Sequence, residues 1–217
     1  AHLDLSECLE FTVEGGRPDT LDLEKLQALR SLGVDRMSIN PQTMEDAVLR
    51  ACGRPHKAAD VLRAYGEAVD AGFGAINMDL IAGLPYEDYE SFGKSFNDLY
   101  AHEPDQLQLG FLKVLKGTVM EEEVKKYDII YRNQSPYEVL GTKWLSYDEI
   151  ILLKGVGELV ELYYNSGQYA LTLKYAVPFF ESPFRFYEMF SASYRKKGYH
   201  KLNHNRLEKY NILREFL

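Results

Sequence analysis

Cysteine is scarce in this sequence: 217 residues include two, Cys8 and Cys52, far apart along the chain. That is no disulfide framework, so a reducing, cytoplasmic setting is expected. Positive charge is also in deficit. Lys and Arg total 25 against 33 Asp and Glu, a formal net charge of −8, which argues against a general binder of nucleic-acid backbones. Long apolar runs are missing too. The longest candidate, Ile150 to Val160, is interrupted by Lys154 and Glu158, so no membrane span is expected, and no signal-peptide pattern opens the chain. There is no internal repeat and no low-complexity tract. What remains is a globular composition, 46% hydrophobic and 27% charged, long enough to bury a core in one or two domains.

The stretch Ala75-Ile-Asn-Met-Asp79-Leu-Ile-Ala-Gly83-Leu-Pro85 organises the rest. It begins apolar, turns polar at Asp79, breaks at Gly83, and Pro85 is placed to open a helix through Ala101. A strand running into a helix is half of a βα unit, and Asp79 lies near the strand's carboxyl end, where such folds bind ligands. From this stretch alone two readings stay open: a ligand contact, or a carboxylate that completes the turn.

Upstream, Leu9 to Glu14 alternates as a strand and Gly15-Gly16-Arg17-Pro18 reads as a loop. A helix with Leu23, Leu26, Leu29 and Leu32 on one stripe ends at Gly33. Val34 to Asn40 is the next strand, and Thr43 with Asp46 resembles a capping box for a short helix to Ala51. A second helix spans about 57–71, and a fourth strand follows Pro104, from Gln106 to Leu112. Four alternations predict an α/β fold with a parallel sheet, either open or part of a (β/α) barrel. Glu14, Gln42, Asp79 and Lys113 all fall near strand carboxyl ends and so converge on one mouth, which favours a ligand site. After Lys116 the alternation stops. A short acidic helix (118–126), an aromatic-rich connection (127–137) and helices over about 146–164, 187–195 and 207–216 are expected, their aromatic residues packing the core between them. The division is drawn at 1–116 and 117–217.

These residues resemble a family. Val13-Glu14-Gly-Gly-Arg-Pro-Asp-Thr, Arg36-Met-Ser-Ile-Asn-Pro-Gln42-Thr, Gly53-Arg54-Pro-His56 and Asn77-Met-Asp79-Leu-Ile81-Ala-Gly-Leu-Pro85 look like successive motifs of radical S-adenosylmethionine (SAM) enzymes. Those of the oxygen-independent coproporphyrinogen III oxidase and dehydrogenase group are the most similar. Pro85-Tyr-Glu-Asp-Tyr-Glu-Ser, Gln106-Leu-Gln-Leu-Gly-Phe-Leu-Lys and the tail look instead like radical SAM proteins with an upstream cobalamin domain and a helical extension. The resemblance implies the carboxyl-terminal strands of a TIM-like barrel followed by an α-helical module. It also implies that Glu14, Gln42, Arg54 and Asp79 contact S-adenosylmethionine, with Ile81 against its adenine. Arg54 suits the methionine carboxylate, Asp79 and Gln42 the ribose hydroxyls, and Glu14 a cationic or hydroxyl group.

The family's C-x-x-x-C-x-x-C loop, which holds its [4Fe–4S] cluster, is absent, as are its first two strands. Cys8 and Cys52 have the wrong spacing and are read as small buried hydrophobes, and His56 as a loop residue rather than a metal ligand. No metal ligand is assigned within the chain. The implied function is the carboxyl-terminal part of an oxidoreductase that abstracts hydrogen with a 5′-deoxyadenosyl radical. A porphyrinogen-like small molecule would be the substrate, with an electron-donor protein serving the complete enzyme. The rivals are a cobalamin-dependent radical methyltransferase and a non-catalytic small-molecule binding module.

Overall fold

The computed structural model describes residues 7–217. Strands β1 (Thr12–Gly16), β2 (Arg36–Gln42), β3 (Ala75–Ala82) and β4 (Gln106–Phe111) form one sheet in the order β1-β2-β3-β4. All neighbours are parallel. The connections carry α1 (Leu23–Ser31), α2 (Asp46–Ala51) with α3 (Ala58–Asp70), and α4 (Tyr89–Tyr100). An unbroken parallel order has no point of reversal, as in a barrel and unlike a doubly wound sheet. The fold is therefore a four-strand piece of a parallel (β/α) barrel.

Strand alternation sorts the side chains into two faces. Met37, Ile39, Ile76, Met78, Leu80, Ala82 and Leu107 are buried among the helices. The other face is polar. Glu14, Ser38, Asn77 and Gln106 stand in one register row across all four strands. Toward the carboxyl ends Asp79 lies beside Gln108, and Ile81 beside Gly110.

Beyond β4 come α5 (Val119–Glu123), a two-stranded antiparallel pair β5 (Ile130–Tyr131) and β6 (Val139–Gly141), and α6 (Tyr147–Leu159). A π-helical turn (Val160–Asn165), α7 (Ala170–Ala176), α8 (Pro183–Lys196) and α9 (Arg206–Phe216) complete the chain. The two halves share a core in which Met78, Leu80, Phe92 and Phe96 pack with Val156, Tyr163, Phe184 and Tyr187. Glycine sets the closest approaches. At Gly83 φ is +90°, and a Cβ there would lie 2.8 Å from a Val139 methyl, so β6 sits directly on the turn leaving β3. At Gly93 a Cβ would lie 2.7 Å from the Phe184 ring, which edges against Tyr89 and Phe92.

Several sequence expectations are corrected. Gly15 and Gly16 belong to β1 rather than to a loop. Pro85 does not open a helix: α4 begins four residues later, where Asp88 and Ser91 form a reciprocal cap. The connection at 127–137 contains β5 and leads into β6, and α7 was not expected at all. Cys8 is exposed rather than buried, while Cys52 is half-buried, with its thiol pushed up to about 11 by burial. Thr43 caps nothing in α2, whose first turn lacks a side-chain cap, because its hydroxyl is used elsewhere.

Candidate functional site at the strand ends

The site is built from three successive turns. β2 slips register between Ile39 and Gln42, and Gln42 ends it in the left-handed region, φ 72°. A glutamine there is uncommon and needs surrounding structure to hold it. The slip lets Gln42 reach across to β3, where its Nε2 donates to Asp79 Oδ2 at 3.1 Å. Arg54, on the turn after α2, donates from Nη1 to the Asn40 carbonyl at 3.3 Å and lies close enough to act on the charge of Asp79.

Asp79 is the electrostatic centre. Burial pushes its carboxyl up to about 6, and the negative charge of Glu14 adds to the rise. A hydrogen bond from Asn40 and the positive charge of Arg54 pull the other way. Its second oxygen, Oδ1, is shut off from solvent and has no hydrogen-bond partner among the described residues. A buried carboxylate oxygen without a donor is costly, so this atom asks for one. Asp79 and Ile81 line a cavity of about 470 Å³ together with Gln108, Gly110, Glu161 and Asn165. A larger cavity, about 820 Å³, lies between Tyr100, Pro104, Tyr164, Leu173 and Phe180. That is the amino end of β4, away from the turns, and the polar convergence marks the smaller cavity as the site.

Of the five residues read from sequence, the structure brings Gln42, Arg54 and Asp79 together, with Ile81 one step further along the same strand face. Glu14 is exposed and sits in the row of Ser38 and Asn77, nearer the amino ends. His56 is a loop residue, as read, but it is buried, with Nδ1 3.7 Å from Asp19 Oδ1. Burial and the neighbouring Arg54 hold its pKa below the usual value, so the ring is neutral. Sequence reasoning missed Asn40, Gln108, Glu161 and Asn165. Asn40 and Gln108 carried a usable signal, polar residues alternating with apolar ones along a strand, whereas Glu161 and Asn165 lie on a helical turn far along the chain.

Comparison with known proteins divides the chain. Residues 7–99 match the radical SAM superfamily, and residues 125–217 match a family described as proteins of unknown function, DUF4080. The oxygen-independent coproporphyrinogen-III oxidase-like protein HemZ of Bacillus subtilis is 37% identical over 131 residues, 60% of this chain and 26% of that protein. The heme chaperone HemW of the same organism is 33% identical over 139 residues, 58% of this chain and 36% of that one. The chain thus spans only about a quarter to a third of the length of these relatives. The solved structure of Methanocaldococcus infernus Elp3 with an N-terminal deletion aligns with a TM-score of 0.50 at 24% identity, covering 54% of this chain and 28% of that one, a likeness of fold. The segment that matches the radical SAM superfamily, residues 7–99, carries β1, β2 and β3 as consecutive parallel strands.

Proposed function

We propose that this chain forms part of a radical SAM oxidoreductase of the coproporphyrinogen oxidase-like group, with Gln42, Arg54, Asp79, Ile81 and Glu14 facing S-adenosylmethionine and a porphyrinogen-like substrate beyond it. The observation that carries the reading is Asp79, which lines a cavity, has a buried Oδ1 without a partner among the described residues, and has its pKa raised to about 6. Nucleoside hydroxyls are the donors that such an oxygen lacks, so the residues fit this cofactor. When bound, S-adenosylmethionine supplies carbon-centred radical chemistry. The chain's own part is to hold it. Asp79 accepts from the ribose, Gln42 orients Asp79, Arg54 pairs with the carboxylate end, and Ile81 gives an apolar surface to the base. Relatives named coproporphyrinogen oxidase or oxidase-like support the substrate class.

A [4Fe–4S] cluster does not fit the donors of this chain. Cys8 precedes β1 and Cys52 follows α2, and no three His, Cys, Asp or Glu side chains gather among the described residues. The division into a barrel part and a helical part near residue 116 is part of the same proposal. A second reading, small-molecule binding without catalysis, has support from the relative named a heme chaperone.

The test is Asp79→Asn. Because burial raises the Asp79 pKa from 3.8 to about 6, its share of folding stability is full below pH 3.8 and is lost as pH rises through 6. The neutral asparagine should therefore leave the free chain at least as stable at pH 7 while weakening nucleoside binding tenfold or more, roughly the value of one hydrogen bond to a charged group. Wild-type affinity for 5′-deoxyadenosine should fall as pH drops below 6, where the carboxylate is lost. Isothermal titration and urea melts read both quantities. Loss of stability in Asp79→Asn with normal binding would make Asp79 a turn residue and end the reading.

A further inference from the structure

Gln42 ends β2 and Tyr86 lies four residues beyond the end of the adjacent β3, and both are non-glycine residues in the left-handed region, φ 72° and 70°. Each is followed by one partner of a buried hydrogen bond. Thr43 Oγ1 donates to Glu87 Oε1 at 2.5 Å, with both side chains fully out of solvent. The bond ends a short relay. Ser95 Oγ, on α4, lies 3.3 Å from Thr43 Oγ1 and accepts the Met44 N–H at 3.1 Å, and Thr43 Oγ1 accepts the Glu45 N–H at 3.2 Å. Every member of the relay is paired except Glu87 Oε2, which is buried with no partner among the described residues.

We propose that Glu87 is a positioning residue for the site at the strand ends: by holding Thr43 it braces the strained turn that aims Gln42 at Asp79. The inference rests on the reading of Gln42 and Asp79 as nucleoside-facing. A left-handed glutamine is strained unless the surroundings over-determine it, and the brace ties this turn to the neighbouring one. A carboxyl serves because it accepts strongly without a competing donor in the occupied position. Its surroundings keep it neutral. Burial pushes Glu87 up to about 8, and the charges of Glu45 and Asp88 act in the same direction. Glu45 is itself paired with Lys94, Asp88 caps α4, and the Cys52 thiol faces Glu87 in its protonated state.

Two readouts separate positioning from bulk stability: the Gln42 side-chain amide resonances of the labelled chain, and its affinity for S-adenosylhomocysteine. Glu87→Ala should shift the Gln42 amide pair toward free-glutamine positions and weaken affinity about tenfold, the loss expected for one hydrogen bond. Glu87→Gln, which still accepts from Thr43, should keep both within about twofold. Thr43→Val removes the donor while keeping the shape, and should copy Glu87→Ala even if the latter fails to fold. Gln42 resonances unchanged in Thr43→Val would overturn the brace. If the Gln42 resonances respond but wild type and Asp79→Ala bind the nucleoside equally poorly, the brace stands and the cofactor reading fails.

Discussion

The two edges of the sheet are treated very differently. At β4 the outer edge is closed by the chain's own second half. The Asn165 amide sits against Leu107 as a strand residue would, with Oδ1 accepting the Leu107 N–H at 2.9 Å and Nδ2 donating to its carbonyl at 3.1 Å. Glu161 accepts from the same Nδ2 at 2.8 Å and fixes which way the amide points. Further up, α6 passes Leu109 at Gly157. The chain after β4 then pairs at Lys113 with Glu138, whose carboxylate holds Lys154 of α6. At β1 nothing comparable is present: β2 is its sole strand partner among the described residues. An uncovered edge is a template for another strand, and folded proteins cover or charge such edges. Among the described residues, the contrast places the sheet's cover at β4 and its unpaired strand edge at β1.

Removing the cover should have the largest effect. A truncation ending near Tyr127 would strip β6, α6 and α8 from a core that they share with β3 and α4, so the remainder should be insoluble or unfolded. A soluble fragment with its own cooperative melt would show the two halves to be independent. Asn165→Leu is the finer cut. It leaves the Leu107 N–H and carbonyl unpaired and should cost about 1–3 kcal/mol in urea unfolding, with faster hydrogen exchange at the Leu107 amide. Unchanged exchange would mean that the amide is an ornament of the edge and not its closure. The smallest folding effect belongs to β1. Wild type should associate with rising concentration in light scattering, whereas Thr12→Lys, at an exposed position, should suppress this with stability changed by less than about 0.5 kcal/mol. A concentration-independent monomer in the wild type would remove the distinction between the edges.

The parts legible in the sequence are those written locally. β3 shows as an apolar run that turns polar at Asp79, and α1 as a leucine stripe that ends at Gly33. The site's frame was harder to read. Thr43 looked like a helix cap because Asp46 stands three residues on, yet its partner is Glu87, 44 residues away. Asn165 meets Leu107 across 58 residues. Neither pairing has a period or a spacing to betray it. The start of α4 was misplaced for a related reason: Pro85 is a credible first helical residue, but the Asp88–Ser91 cap and the buried Glu87 between them set the start later. Local chemistry marked the elements, and long-range polar contacts decided how they were joined.

The Asn165 cap also limits what the open edge can build. A molecule with one pairing edge and one closed edge has a valence of one. Two copies can join β1 to β1 across a two-fold axis, but the resulting eight-stranded sheet ends on both sides at a Leu107 already satisfied by its own Asn165. Such a contact is isologous and closes on itself. Chain growth would need β4 to be free as well, and the chain's own second half already covers it.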